Sequence, residues 1–211
     1  ILVSEIFRQV LEDGTDFEGS TSYHRMVAEL FLWPALYRRV KGKGIPELYF
    51  ERLRLMGAFT AAYTKPDGTA PLWGDADDGR PYIFGPQRIS DHSYLPALIS
   101  LALDDEVKMV PNSEASKELY WALGWDKGSK AEVIPKKPQI SQSFGNGGVY
   151  VMAGEKDHIF IDCGPVGFDG RGGHGHNDCL SFEAVLKNIP LITDSGTFVY
   201  TEDFKWRNSF R

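Results

Sequence analysis

Two histidines separated by a single glycine are the feature of this sequence most suggestive of chemistry. His174 and His176 lie in the run RGGHGHND, and side chains at positions i and i+2 of an extended segment project to the same side. Two imidazoles placed this way can converge on one ion or one substrate, and the flanking glycines let a ligand approach the backbone. Histidines that merely fill a loop are the alternative.

A metal site at these histidines requires further ligands. Zinc usually takes four ligands, and carboxylates are among those it accepts. Asp194 follows a predicted strand that would pair with the strand after His176, so its carboxylate is well placed to complete such a site. Asp178 could instead be a hydrogen-bonding partner of the ligands.

A tyrosine followed by a histidine, Tyr23 and His24, stands at the start of a predicted helix, after the run DGTDFEGSTS. A tyrosine hydroxyl has a pKa of about 10 in water and can act as an acid or a base when neighbouring cations or helix N-terminal amides lower that pKa. A tyrosine packed in the core is the alternative.

The acidic run GDADDGR, residues 74–80, invites comparison with a calcium-binding loop. It lacks the glycine at the sixth position and the glutamate at the twelfth position that define the EF-hand loop. The pattern therefore favours either a turn-rich loop that holds Arg80 over a cleft or a plain solvated acidic loop.

These residues lie on two kinds of structure that change along the chain. Helical spacing of apolar residues predicts helices up to residue 125, with Pro34 kinking or ending the second, whereas a period of two predicts antiparallel strands from Ser141 onward. We expect a helical domain over 1–135 and a sheet domain over 136–211. The predicted helices cover 1–11, 20–34, 46–64, 93–103 and 113–123, and the predicted strands cover 149–153, 158–163, 180–186 and 189–193.

Two long connections separate these elements. The loop between Thr64 and Asp91 exceeds the usual loop length, and such loops in compact domains are often functional; its aromatic residues favour order. A polar, proline-containing linker is predicted over residues 127–138.

Composition excludes several classes of protein. The net charge is −6, from 23 basic and 29 acidic side chains, which argues against a nonspecific nucleic-acid binder. A content of 42% hydrophobic and 25% charged residues is typical of a globular protein, and no apolar run is long enough to cross a membrane.

Cys163 and Cys179 could be free or paired. Because the chain begins without Met, we expect it to be a piece of a longer protein.

Taken together, these stretches resemble the heparinase II/III-like family of polysaccharide lyases. DGTDFEGSTSYHR is similar to the family's segment with its catalytic tyrosine, GDADDGR to a loop common in members, and GGHGHNDCLSFE with TDSGTFVYT to the signature of the C-terminal sheet domain. The resemblance implies an incomplete α/α toroid followed by an antiparallel β-sandwich, with the active site in the cleft between them.

The family's reaction is β-elimination at a uronic acid, so the resemblance implies an acidic, uronate-containing polysaccharide as the substrate. Tyr23 would be the acid and could also be the base, while His174 would act as a base or polarise the substrate. His176 and Asp194 would hold a structural zinc ion. The implied substrate-binding residues are Glu18, His24, Arg80, Arg88 and Arg171, and the arginines would concentrate positive potential in the cleft against the acidic background.

The resemblance also sets expectations about the rest of the protein. The family's carboxylate-neutralising Asn or His would precede Ile1, and its third metal ligand would follow Arg211. A periplasmic or secreted location is implied, and formation of a homodimer is left open. Two other functions compete with a lyase: a non-catalytic carbohydrate-binding or scaffold protein of the same fold, and a metal-dependent hydrolase that uses His174, His176 and Asp194. The hydrolase would leave Tyr23 without a role.

Overall fold

The computed structural model describes residues 1–76, 79–133 and 138–210, and it consists of helices followed by an antiparallel sheet. Asp77 and Asp78 of the predicted acidic loop lie outside the described residues. The succession of helices and then strands agrees with the prediction from periodicity. None of the helices in the described part of the chain is long and apolar enough to cross a membrane.

Five longer helices form the first region, and each lies close to its predicted position. They are α1 (Leu2–Gln9), α2 (Thr21–Val40), α3 (Glu47–Tyr63), α4 (Tyr94–Ala102) and α5 (Ser113–Leu123). α4 is buried along its whole length and packs against both α3 and α5. Because α4 offers apolar residues on every side, it can form the centre of a layered helical array.

Helix α2 positions the Tyr23 segment and is longer than predicted. Ser20 is its N-cap, and the Ser20 Oγ accepts a hydrogen bond from the backbone N–H of Tyr23 at 3.2 Å. Pro34 lies inside the helix. The prediction that Pro34 kinks or ends α2 is therefore wrong about the end, since the helix continues to Val40.

The predicted linker is partly helical. A short helix α6 (Trp125–Gly128) and a 3₁₀ turn (Ser129–Val133) occupy its first half. Ala131 is buried in the helical core. Contact with this core stabilises local helix in a segment whose composition alone favours a loop.

The second region is a five-stranded antiparallel sheet in which each strand pairs with the next. Its strands are β1 (Gln142–Phe144), β2 (Val149–Ala153), β3 (His158–Asp162), β4 (Phe182–Leu186) and β5 (Ile189–Ile192). A final helix α7 (Phe204–Phe210) follows the sheet. The long connection between β3 and β4 carries His174 and His176, and the segment between β5 and α7 carries Asp194.

The two regions share a core, which fixes the sheet against the helices. Phe59 of α3 packs edge-on against Phe144 of β1, with ring centroids 4.8 Å apart, and Trp73 packs against Phe160 of β3 at 5.7 Å. A buried ion pair joins Lys65 Nζ to Glu183 of β4 at 2.7 Å. Residues from both regions can therefore be held in one site with little freedom between them.

Candidate functional site

The site forms where the first turn of α2 meets the histidine-containing connection of the sheet region. The aromatic ring of Tyr23 stacks on the imidazole of His174, with ring centroids 3.7 Å apart and planes 23° from parallel. Both residues are partly exposed. A hydroxyl and an imidazole are thus presented together on an accessible surface, as proton transfer to and from a substrate requires.

A second tyrosine completes this surface. The hydroxyl of Tyr200 lies 3.3 Å from the hydroxyl of Tyr23. Tyr200 comes from the segment after β5, so it reaches α2 only because the sheet packs on the helices. Tyr200 lies in the run TDSGTFVYT that resembled the family, but no spacing or motif in the sequence singled it out as a site residue.

Two carboxylates face the two ring nitrogens of His174. Asp75 Oδ2 lies 3.3 Å from Nδ1, and Glu18 Oε2 lies 3.4 Å from Nε2. Burial raises the pKa of the Glu18 carboxyl, and the neighbouring His174 acts in the opposite direction. Glu18 was predicted to bind substrate; its placement beside His174 puts it at the candidate site.

His176 is buried beneath this surface and is held by the same aspartate. Its Nε2 lies 3.0 Å from Asp75 Oδ1, and its side chain is 1% exposed. The other nitrogen, Nδ1, is buried without a hydrogen-bond partner and faces Asp194 Oδ1 at 3.9 Å. Burial raises the pKa of the Asp194 carboxyl, against the opposing effects of the Gly196 N–H and of His176.

Sequence models of one family match both regions of the chain. The heparinase II/III N-terminus model matches residues 1–83, and the heparinase II/III-like, C-terminal model matches residues 136–211. Together they cover more than half of the chain, in the order that the family requires. The chain belongs to the heparinase II/III-like family.

Individual members of the family agree with this assignment. A heparin-sulfate lyase of Pedobacter heparinus is 26% identical over 221 residues, which cover 100% of this chain and 29% of the relative. The chain therefore spans less than a third of that relative's length.

Solved structures show that the fold is shared. A crystal structure of a heparan sulfate lyase from Pedobacter heparinus matches 100% of this chain and 30% of its own with 22% identity and a TM-score of 0.67. A crystal structure of heparinase III matches 100% of this chain and 32% of its own with 18% identity and a TM-score of 0.70. The predicted fold class, an incomplete α/α toroid followed by an antiparallel β-sandwich, is confirmed, and the described residues contribute one sheet of it.

Arg80 of this heparinase II/III-like chain lies in the core of the helical region. Its side chain is 3% exposed, and its guanidinium pairs with Glu29 at 2.6 Å and Glu118 at 2.8 Å, both of which are also buried. The guanidinium also lies over the ring of Tyr94, at 4.4 Å. The Arg80 guanidinium makes its hydrogen bonds inside the protein. The expectation that Arg80 is held over a cleft to bind substrate is therefore wrong, and its role is structural.

His24, too, points into the core. Its side chain is fully buried, and Nε2 lies 3.2 Å from the Met56 carbonyl oxygen and 3.1 Å from Thr60 Oγ1. Burial lowers the pKa of His24 to about 4, against a smaller opposing effect of its hydrogen bond to Met56. Because His24 follows Tyr23 directly in the helix, the two side chains point in different directions. His24 is therefore buried in the core and does not reach the surface where substrate contact was predicted.

The other two predicted arginines are exposed. Arg88 lies in the loop before α4, and Arg171 lies in the same connection as His174. Of the three arginines expected to form a positive patch, Arg88 and Arg171 therefore remain candidates and Arg80 does not.

The side chains around His176 have the chemistry of part of a zinc coordination shell. Among residues 1–76, 79–133 and 138–210, no group of three or more His, Cys, Asp or Glu is arranged to hold a metal ion. His176 nevertheless presents an unpartnered, buried Nδ1 towards Asp194, and it has a carboxylate, Asp75, at its other nitrogen. Histidine ligands of metals ordinarily have such a second partner, so this donor set is suited to zinc, to which His176 and Asp194 would contribute two ligands.

Proposed function

We propose that this chain forms part of a lyase that cleaves a heparan sulfate-like, uronate-containing polysaccharide by β-elimination. The observation that carries the proposal is the stacking of Tyr23 on His174, with the Tyr200 hydroxyl beside that of Tyr23. The naming of relatives as heparin-sulfate and heparan sulfate lyases supports the choice of substrate. Such polymers occur outside the cytoplasm, so we extend the proposal to a secreted or periplasmic protein.

β-Elimination requires a base and an acid on the same substrate. The base takes the proton from C5 of the uronate, the electron pair of that C–H bond forms the C4–C5 double bond, and the C4–O4 bond breaks. The acid supplies a proton to O4 as it leaves. The C5–H bond is too weakly acidic to lose its proton unless the developing enolate-like charge on the neighbouring carboxylate is stabilised.

In this site Tyr23 is the acid and His174 is the base. Stacking fixes the plane of the imidazole against the phenol ring, so the hydroxyl and the ring nitrogens keep a constant relation to each other. Tyr200 donates or accepts a hydrogen bond at the Tyr23 hydroxyl and so holds it in position. Because an error of ~1 Å in placing a catalytic group can reduce the rate ~100-fold, these contacts favour catalysis as well as folding.

We propose a structural role for zinc. His176 Nδ1 and Asp194 would hold the ion, with further ligands from elsewhere in the protein. When bound, the ion would cross-link the connection that carries His174 to the segment after β5, which carries Tyr200. The protein residues, rather than the ion, perform the proton transfers.

A product assay on the protein expressed from its complete gene tests the proposal. Heparan sulfate, hyaluronan, chondroitin sulfate and alginate are each incubated with the protein, and the unsaturated uronate is followed by its ultraviolet absorbance. Absorbance from heparan sulfate first and fastest is the expected result. Binding without a product would support a carbohydrate-binding protein instead, and cleavage without a new double bond would support a hydrolase; either result would overturn the lyase proposal.

A further inference from the structure

We propose that Asp75 is the positioning residue of this site: a single buried carboxylate that sets the ring orientation and tautomer of His174 and His176 together. This inference rests on the proposed lyase function for its kinetic consequence, whereas its structural consequence can be measured without any activity.

The two oxygens of Asp75 are divided between the two histidines. Oδ2 lies 3.3 Å from Nδ1 of His174, and Oδ1 lies 3.0 Å from Nε2 of His176. The Asp75 side chain is fully buried. A charged carboxylate is placed in a dry environment only at a cost unless its oxygens are hydrogen-bonded, and the two rings supply these bonds.

Asp75 is held rigidly by the elements on either side of it. The Asp75 backbone N–H donates to the carbonyl oxygen of His174 at 2.8 Å, and the Asp75 carbonyl oxygen accepts a hydrogen bond from the Ser20 hydroxyl at 2.8 Å. Gly74 has a φ of +66°, and a Cβ at that position would overlap the backbone at Gly19 and His174. Ser20 is also the N-cap of α2, where its Oγ accepts a hydrogen bond from the Tyr23 N–H. Asp75 therefore links the start of the helix that carries Tyr23 to both histidines.

A carboxylate in this position accepts hydrogen bonds and cannot donate them, so each ring must direct an N–H towards it. His174 then carries its proton on Nδ1 and keeps Nε2 as its basic nitrogen. His176 carries its proton on Nε2 and keeps the lone pair of Nδ1, the atom that faces Asp194. A single residue therefore selects opposite tautomers at the two histidines, each suited to its proposed task.

The contact between Glu18 and His174 differs from the contact between Asp75 and His174. Glu18 Oε2 lies 3.4 Å from Nε2 and has no hydrogen-bond partner, whereas the contact of Asp75 with Nδ1 meets hydrogen-bond geometry. Glu18 therefore leaves Nε2 available as a base.

The first measurement is made on the unsubstituted, metal-free protein. Long-range ¹H–¹⁵N NMR spectra of the histidine rings distinguish Nδ1–H from Nε2–H tautomers. We expect Nδ1–H at His174 and Nε2–H at His176. The opposite tautomer at either ring would overturn the inference, and this result needs neither activity nor a folded variant.

The second measurement compares Asp75→Asn with Glu118→Gln, which changes another buried carboxylate whose partners are Arg80, Gln87 and the Gly85 N–H rather than the histidine rings. The amide of Asp75→Asn has only one acceptor atom, so one ring should change its tautomer. We expect kcat to fall about 10- to 100-fold, as for other partners of functional histidines, with KM changed by less than about threefold. Glu118→Gln should lower the melting temperature but keep both tautomers and, when measured below that temperature, kcat.

These outcomes separate the inference from the proposed function. A protein with no eliminase activity before substitution would refute the lyase proposal, and the ring spectra would still decide the role of Asp75. An active protein in which Asp75→Asn retains kcat would refute the positioning role and leave the lyase proposal intact. An equal loss of kcat in Glu118→Gln would refute it as well, because the loss would then follow from destabilisation in general.

Discussion

The ring of Tyr23 stacks on the imidazole of His174 at a centroid separation of 3.7 Å, although 151 positions separate the two residues in the sequence. Neither residue could be assigned to chemistry with any precision by itself, since a tyrosine in a helix and a histidine in a glycine-rich run both have ordinary structural explanations. Their contact on a partly exposed surface is the observation from which we propose acid–base chemistry for both.

Replacing Tyr23 tests its role as the acid. Tyr23→Phe keeps the ring and its stacking on His174 and removes only the hydroxyl, so it should lower kcat at least ~100-fold while the melting temperature changes little. The measurement is formation of unsaturated product together with thermal unfolding.

Tyr37→Phe is the matched control for this substitution. Tyr37 lies on the same helix α2 and is 64% exposed, so loss of its hydroxyl should change neither kcat nor stability. Full activity in Tyr23→Phe would rule out the assigned role.

Replacing His176 tests the zinc proposal. His176→Ala removes the unpartnered Nδ1 that faces Asp194, so zinc content and melting temperature should fall together, because a metal that binds only the native state stabilises it. Elemental analysis after dialysis gives the stoichiometry.

His158→Gln is the control for a buried histidine. His158 is buried in β3, where its Nε2 contacts the Ala62 carbonyl oxygen at 2.9 Å, so its replacement should lower stability and leave the zinc content unchanged. Equal zinc in His176→Ala and the parent protein would contradict the proposed site.

Replacing Arg80 tests whether this residue stabilises the core or binds substrate. Arg80→Met leaves Glu29 and Glu118 buried without their partner, and we expect a loss of ~3–5 kcal/mol in the free energy of unfolding. Chemical denaturation measures this loss. Arg88→Met, at an exposed position, should change stability by less than ~0.5 kcal/mol; a raised KM with normal stability in Arg80→Met would instead favour substrate contact.

The burial of His24 predicts a specific pH dependence of the free energy of unfolding. Burial lowers its pKa in the folded protein to about 4, so between pH ~6.5 and ~4 the unfolded chain binds a proton that the folded chain does not. Stability should therefore fall as the pH decreases through this window, by about 3 kcal/mol in total from this residue.

Comparison with His24→Gln isolates this contribution. Urea denaturation at several pH values should show a shallower decline for His24→Gln than for the parent protein across the same window. Parallel curves for the two proteins would show that His24 is not buried in its neutral form.

The elements of this fold could be predicted from local patterns. Helical spacing placed α2 and α3, and alternation placed β2 and β3 within a residue of their observed bounds. These features depend on neighbours only a few positions apart. The helical stretch over residues 125–133 was missed, because its stability depends on contact with a core that local composition does not reveal.

The sequence by itself determined the two regions, the family signature and the identity of Tyr23, His174 and His176 as candidates. Only the tertiary structure decided which charged residues face the site. Arg80 and His24 looked as suitable as Glu18, but Arg80 is buried between two carboxylates. His24 is buried against the Met56 carbonyl oxygen and the Thr60 hydroxyl. Asp75, one acid in an acidic run, contacts both histidines. Burial and charge pairing arise between residues far apart in the chain, and residue type and spacing alone cannot specify them.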